Sequence, residues 1–195
     1  YWPTTSSGQD YDVLCKWWAK DVCEHFTNLL PDGKEVHFFS SQATYQVDKG
    51  AFGVDEIQKQ IDANRANLSS GYTGSVFYNT TSYINMYQTL AQTHFVHKTL
   101  TPPMTWKVKE TLDAPTNLKV DGTKLTWQHP DAQRFTVYVY PKGYDVTTGM
   151  QPKYLRQVVY GHQITLESSD LLSTIAVCSY DRYGVEHGVA VWNEE

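Results

Sequence analysis

Apolar and polar positions follow different patterns in the two halves of the chain. In the first half, apolar residues recur at helical spacing in DYDVLCKWWAKDVCEHF and VDEIQKQIDANRANL, and short apolar runs such as VHFF and SVFY stand between such stretches. Spacing of i, i+3 and i+4 predicts amphipathic helices, and short continuous apolar runs are typical of buried parallel strands. The first half is therefore predicted to alternate strands with helices.

Three helices are predicted in this half. The apolar face of the first is assigned to Val13, Leu14, Trp17, Trp18, Val22 and Phe26. In the second, Ile57, Ile61 and Leu68 form the apolar stripe, and Asp55 followed by Gln58 resembles a capping box. The third is the segment YINMYQTLAQTHF, which follows the run GSVFYN.

The pattern of the second half predicts a succession of short strands. Two runs in TNLKVDGTKLTWQH are separated by Asp121-Gly122, a dipeptide that favours tight hairpin turns. Alternating runs follow in RFTVYVY, LRQVVYGHQITL and STIAVCSYDRYGVEHGVAVW. Six or seven short strands with turn signals between them predict an antiparallel β-sandwich.

A proline-rich segment separates the two patterns. The stretch TLTPPMTWKVKETLDAPTNL contains three prolines and breaks the periodicity on both sides. The sequence therefore predicts a first domain over residues 1–106, a linker over 107–114 and a second domain over 115–195.

The spacing of the strands suggests what precedes them. The two apolar runs of the first half start near Val36 and Gly74, so the repeat is 74 − 36 = 38 residues, and an earlier strand is expected near position −2. Tyr1 and Trp2 are then the tail of that strand; alternatively they form a terminal arm in which Trp2 packs on the domain. Consecutive βα units build either an open sheet or a (β/α)₈ barrel, and a barrel needs about 250 residues.

Aromatic and amide side chains follow the predicted strands. Under the barrel interpretation, the residues just past each strand line the active face. Aromatic rings can pack on the apolar faces of sugars, and amides can hydrogen-bond to sugar hydroxyls. We therefore predict a carbohydrate subsite formed by Trp2, Gln42, Tyr45 and Asn79. The alternative is that the aromatic residues only cap the packed layer at the end of the sheet.

Hydrolysis of a glycoside normally requires a pair of carboxyl groups. Asp48, Asp55 and Glu56 follow the Val36 run, but Asp55 is explained as a helix cap, and no second acid follows a neighbouring strand. The catalytic acids are therefore expected to lie outside this sequence.

Composition and charge exclude other classes of function. The net charge is −5 and the basic residues are scattered, which argues against nucleic acid as a partner. No apolar run approaches the length of a membrane span, which is about 20 residues. No metal-ligand spacing is present among the seven His and three Cys residues, so neither metal nor cofactor is expected. Eight residues along one helix separate Cys15 from Cys23, too far for a disulfide, and Cys178 lies in the other half.

Several motifs resemble a known family. YW, DYDVLCKWW, VHFFSSQATYQV, EIQKQIDANR, GSVFYNTTSYINM and LTPPMTW occur in order and are similar to the last three βα units of the bacterial glycoside-hydrolase-like family 10 proteins. The later motifs LTWQHP, RFTVYVY and IAVCSYDRYGVEH resemble a fibronectin type III domain, in which Trp127 and Tyr180 are core residues. The resemblance implies three C-terminal βα units of a (β/α)₈ barrel, followed by a fibronectin type III-like β-sandwich. It also implies an exported, periplasmic or surface location and a parent enzyme whose acids lie on earlier strands.

Three functions are compatible with these features. The first is the C-terminal part of a carbohydrate-active hydrolase, which contributes one wall of the sugar cleft, is inactive alone and associates with the missing barrel segment or with itself. The second is a non-catalytic module that binds carbohydrate or protein or acts as a spacer. The third, an independent small α/β enzyme, requires a convergent acid and base that the sequence does not reveal.

Overall fold

The computed structural model describes residues 3–5, 8–31, 34–68 and 72–193. The chain divides into two compact units, Tyr1–Val96 and His97–Glu195. The first contains helices and a pair of parallel strands, and the second contains antiparallel sheets. The protein is therefore of mixed α/β composition, and the coarse prediction of α/β followed by all-β structure is confirmed.

Strands and helices alternate along the first unit. Its elements are α1 Tyr11–Lys16, a π-helical segment Trp17–Val22, α2 Cys23–Asn28, β1 Phe38–Gln42, α3 Tyr45–Asp48, α4 Val54–Ala66, β2 Tyr72–Phe77, α5 Thr80–Ile84 and α6 Tyr87–Thr93. Strands β1 and β2 are parallel neighbours, and the connection between them contains α4. The third predicted helix is thus two short helices, α5 and α6.

The first helical stretch buries a different face from the predicted one. Its buried residues are Tyr11, Cys15, Ala19 and Cys23, which are spaced four apart. Of the residues predicted to face inward, Trp17 is 49% exposed, Trp18 47% and Phe26 53%. The prediction was wrong because it ranked positions by apolar size, whereas small side chains at the contact let a helix approach the sheet closely.

Helix α4 supplies the core of the first unit. Ile57 and Ile61 are buried and pack with Met86 and Leu90. Gly53, rather than Asp55, occupies the N-cap position, so the predicted capping box is absent from this helix. Two of the three predicted stripe residues are buried, whereas Leu68 lies beyond the end of α4 and is 58% exposed.

One face of the β1–β2 sheet is open. Phe39 pairs with Gly74 and Ser41 with Val76 on this face, and Phe39 and Val76 are 45% and 49% exposed. A Cβ on Gly74 would lie 2.9 Å from two ring carbons of Phe39, so glycine leaves room for the ring. Parallel sheets are normally covered on both faces, so this open face is unusual.

The second unit is built from two antiparallel sheets. Its strands are β3 Thr116–Asp121, β4 Lys124–Gln128, β5 Arg134–Tyr140, β6 Leu155–Tyr160, β7 Gln163–Thr165, β8 Thr174–Tyr180 and β9 Glu186–Trp192. Short 3₁₀ helices lie at Thr105–Lys107, Val146–Thr148, Pro152–Tyr154 and Ser168–Leu172. One sheet has the order β3-β4-β7 and the other the order β6-β5-β8-β9.

The two sheets enclose a common apolar core. The cluster joins Leu125 and Trp127 of the three-stranded sheet to Phe135 and Val177 of the four-stranded sheet. Trp127 and Tyr180, both predicted to be core residues, are 3% and 4% exposed. The antiparallel two-sheet arrangement predicted for the second half is therefore present.

Residues between the two patterned halves pack on the second unit. The Met104 N–H donates to the Tyr183 carbonyl at 2.8 Å, and the Ser179 hydroxyl donates to the Asp113 carbonyl at 2.7 Å. Leu112 contacts the core of the two sheets. The units divide after Val96, whereas the sequence places the end of the first domain at 106 and a linker at 107–114. The difference arises because these hydrogen bonds, which proline content does not reveal, attach the segment to the second unit.

Candidate functional site

The carboxyl ends of β1 and β2 are joined by backbone hydrogen bonds. The Tyr78 N–H donates to the Gln42 carbonyl at 2.9 Å, and the Tyr45 N–H donates to the Tyr78 carbonyl at 3.2 Å. The Thr44 hydroxyl donates to the Asn79 carbonyl at 3.2 Å. These bonds hold the residues that follow the two strands beside one another, as expected for neighbouring parallel strands.

Two tyrosines dominate this edge. The rings of Tyr45 and Tyr78 meet at 90° with their centroids 5.9 Å apart. Tyr78 is 55% exposed and Tyr45 is partly buried. The Nζ atom of Lys49 lies 4.9 Å from the centroid of the Tyr45 ring. We call Tyr45, Tyr78 and Asn79 the tyrosine edge.

Asn79 is exposed and begins a helix. Its side-chain carbonyl accepts a hydrogen bond from the Ser82 N–H at 3.0 Å, which makes it the N-cap of α5. The Nδ2 group donates no hydrogen bond to a described residue, so it can donate to a ligand. The peptide bond between Tyr78 and Asn79 is cis.

Gln42 lies on the helix-covered face of the β1–β2 sheet, opposite the open face that carries Phe39 and Val76. Its side chain is 0% exposed. In the amide orientation that satisfies both of its polar atoms, Oε1 accepts from the Tyr11 hydroxyl at 2.7 Å and from Asn64 Nδ2 at 2.6 Å. Its Nε2 donates to the carbonyls of Ser40 and Val76, each at 3.2 Å. Burial and the neighbouring Cys15 thiol raise the pKa of the Tyr11 hydroxyl, which therefore stays protonated. The Gln42 amide thus has an internal partner on each side.

The structure brings together two of the four residues predicted to contact sugar. Tyr45 and Asn79 lie at the tyrosine edge, and Gln42 lies behind it in the buried network. Trp2 lies outside the described residues. Sugar contact by these residues stays a prediction.

Sequence reasoning missed Tyr78 and Lys49. Tyr78 directly follows Phe77, the last residue of β2, so the rule that selected Asn79 also applies to it. Lys49 stands four residues after Tyr45, the spacing that puts two side chains on one side of a helical turn. Neither signal was decisive without the position of α3.

The carboxylates of Asp48, Asp55 and Glu56, which follow β1, each have a hydrogen-bond or ion-pair partner within the protein. Asp48 accepts from Asn85 Nδ2 at 3.2 Å, and Asp55 forms an ion pair with Lys59 at 2.9 Å. Glu56 is only 8% exposed and accepts from both the N–H and the hydroxyl of Thr4. These groups have structural partners, so none of them stands out as a general acid or base.

The described residues show neither a metal-binding cluster nor a membrane-spanning helix. The described part of the chain contains no group of three or more His, Cys, Asp or Glu side chains placed to hold a metal ion. Within the ranges that the structure describes, no helix is both long and apolar enough to cross a membrane. Cys15, Cys23 and Cys178 are free and buried.

No protein-family model, no curated protein and no solved structure matches this chain.

Proposed function

We propose that the chain binds carbohydrate at the tyrosine edge and forms the C-terminal part of a carbohydrate-active hydrolase. The observation that carries this proposal is the perpendicular pair Tyr45 and Tyr78, 5.9 Å apart at the carboxyl ends of two parallel strands. The exposed Asn79 amide adjoins the pair. In open and closed α/β sheets, ligands bind at this end of the strands.

The chemistry of these side chains suits a sugar. A pyranose ring has apolar C–H faces and a polar rim of hydroxyls, and tyrosine combines an apolar ring with a hydroxyl group. Two rings at right angles can contact two faces of a bent oligosaccharide. The Nδ2 group of Asn79 adds a hydrogen-bond donor for a hydroxyl.

The architecture supports a more specific assignment of the two units. The parallel order of β1 and β2, with α4 between them, favours βα units of a (β/α)₈ barrel. The orders β3-β4-β7 and β6-β5-β8-β9 favour a fibronectin type III-like sandwich. Barrel hydrolases combined with such sandwiches suit an exported or surface protein, and we propose that location for this chain.

The proposed role is binding rather than catalysis. Hydrolysis requires two carboxyl groups positioned on either side of the glycosidic bond. Asp48, Asp55 and Glu56 are each held by a structural partner. The chain therefore contributes a wall of the cleft, and the parent enzyme supplies the acids from other strands.

Affinity for glycans tests the proposal. The chain is titrated with a panel of soluble oligosaccharides by calorimetry, alongside Tyr45→Ala and Tyr78→Ala. Each substitution is expected to weaken binding about fivefold or more, because an aromatic stacking contact contributes about 1–3 kcal/mol. Tyr160→Ala is the matched control, since Tyr160 is 74% exposed but lies on β6 of the second unit. Binding that is unaffected by the first two substitutions would overturn the proposal.

The barrel assignment also accounts for the open sheet face. In a closed barrel, inward-facing side chains such as Phe39 and Val76 pack against those of the other strands. In an isolated chain this face remains uncovered, so we expect copies to associate through it. Light scattering should show a mass that rises with concentration, and Val76→Lys should reduce this rise. A concentration-independent monomer would contradict this part of the proposal.

A further inference from the structure

The positively charged side chain of Lys49 lies on one side of the tyrosine edge. Lys49 is the C-cap residue directly after α3, and its backbone N–H donates to the Tyr45 carbonyl at 3.2 Å. Its Nζ atom lies 4.9 Å from the centroid of the Tyr45 ring, within the range of a cation–π contact. Because Lys49 is itself exposed, the ammonium group covers the ring on a side that solvent reaches.

The charge of Lys49 is not neutralised by an ion pair with a described residue. Asp48 is its neighbour in sequence, but the Asp48 carboxylate accepts from Asn85 Nδ2. Two other lysines of this unit differ in this respect. Lys16 pairs with Asp12 and Lys59 pairs with Asp55. Lys49 is therefore a cation at the candidate site whose counter-charge can come from a ligand.

The position of the ammonium group discriminates between ligands. A neutral sugar that stacks on the covered face of Tyr45 must displace Lys49 and lose the cation–π contact. A sugar with a carboxylate can stack on the neighbouring Tyr78 and place its negative charge on the ammonium, in a charge-assisted hydrogen bond. Specificity then arises from a penalty for the neutral ligand together with an attraction for the acidic one.

We propose that the tyrosine edge selects carbohydrates that bear carboxylate groups and that Lys49 is the residue that pairs with them. This inference rests on the proposed function, because it names the substrate class of the same site. It assigns stacking to Tyr78 and charge recognition to Lys49, whose ammonium group lies over the Tyr45 ring. Salt should weaken the binding of such a ligand, because the pair is exposed and therefore screened.

The test uses pairs of ligands that share one sugar backbone and differ in whether their carboxyl groups are charged or esterified. Hexasaccharides of galacturonate, glucuronate and mannuronate are each compared with their fully methyl-esterified forms by calorimetry. At least one acid form is expected to bind the chain about twofold to fivefold more tightly than its ester, as an exposed ion pair contributes about 0.5–1 kcal/mol. Lys49→Gln should remove this preference and leave the affinity for the ester unchanged or improved.

Lys59→Gln is the matched control. It removes one positive charge from the same unit, but Lys59 lies on α4 and already has a carboxylate partner. If Lys59→Gln abolishes the preference as strongly as Lys49→Gln does, the selection reflects overall charge and the assignment of Lys49 is overturned. If esters bind as tightly as acids, the inference fails while the proposed function stands. If no acid or ester binds and the wider glycan panel also fails, both fail together.

Discussion

Glu56 and Thr4 are joined by two hydrogen bonds. The Thr4 N–H donates to Glu56 Oε1 at 2.7 Å, and the Thr4 hydroxyl donates to Oε2 at 2.8 Å. Gln60 Nε2 donates to the same carboxylate at 2.9 Å. Glu56 lies in the first turn of α4, where the helix dipole also favours a negative charge. This carboxylate therefore fixes the segment before α1 to the start of α4.

Replacement of Glu56 by Gln should destabilise the first unit. The amide keeps the shape but loses the negative charge that three donors share, and hydrogen bonds to charged groups contribute about 1.5–3 kcal/mol. We expect a loss of about 1–2 kcal/mol in the free energy of unfolding, measured by urea titration. Asp55→Asn is the control, because Asp55 is exposed and pairs only with Lys59; it should cost under about 0.5 kcal/mol. Equal effects of the two substitutions would contradict this account.

Gln42 should matter for stability more than any exposed residue of β1. Gln42→Leu leaves the Tyr11 hydroxyl and the Asn64 amide without one buried partner each. The Tyr11 hydroxyl keeps Ser40 and Asn64 Oδ1 within hydrogen-bond distance, so the main cost falls on the Asn64 amide. An unsatisfied buried polar group costs about 1–3 kcal/mol, so we expect a loss of about 1–3 kcal/mol. The neighbouring Ser41→Ala, at an exposed position, should change stability by less than about 0.5 kcal/mol. A Gln42→Leu protein with wild-type stability would show that the network is dispensable.

Gly188 should not tolerate a side chain. A Cβ at this position would lie 2.3 Å from the backbone nitrogen of Ala114, where the preceding segment crosses β9. The backbone must shift to make room, so Gly188→Ala should cost about 2–3 kcal/mol. Gly74→Ala is the comparison, since its Cβ would meet the ring of Phe39, which is 45% exposed and can move. Similar costs at the two glycines in urea titrations would argue against the crossing at Gly188.

Acid should weaken the second unit through Asp181. Burial alone raises the pKa of this carboxyl, but hydrogen bonds from the Val185 and Tyr183 N–H groups and from His187 outweigh burial and hold the pKa below its usual value. A lowered folded-state pKa stabilises the fold above about pH 4, and that stability is lost as the pH falls through the folded-state pKa.

The corresponding experiment compares urea titrations between about pH 6 and pH 2. The wild-type unit should lose stability as the pH falls below about 4, and Asp181→Asn should lose less over the same interval because the titrating group is gone. Asp131→Asn, at an exposed position, serves as the control and should follow the wild type. Parallel curves for the wild type and Asp181→Asn would refute the role of Asp181.

Sequence periodicity predicted the class of each half and most of the buried stripe of α4, but not the buried side of β1 or of the first helix. In β1 the alternation separates Gln42 from Phe39, yet only the positions of α1 and α4 decide that Gln42 lies on the covered face. In the first helix, the apolar face was assigned to large residues such as Trp17 and Trp18. The buried face instead contains the small residues Cys15 and Ala19. The spacing of residues along one helix or strand does not indicate which other element packs against each of its faces.

The candidate site could be predicted only in part, because some of its features depend on local sequence and others on long-range strand pairing. The rule that ligands bind after parallel strands located Tyr45 and Asn79, because it depends only on where strands end. The pairing of Tyr45 with Tyr78 depends on the parallel register that places Gln42 beside Phe77. That register is a long-range property, which a single sequence does not display.

An NMR titration of the isotope-labelled chain with the tightest-binding oligosaccharide tests the central claim most directly. The account predicts that the largest amide shift changes cluster at residues 44–49 and 77–80, which form and flank the tyrosine edge, with little change in the second unit. Changes centred on another surface, such as the surroundings of Tyr160, or no saturable change with any glycan of the panel, would contradict it.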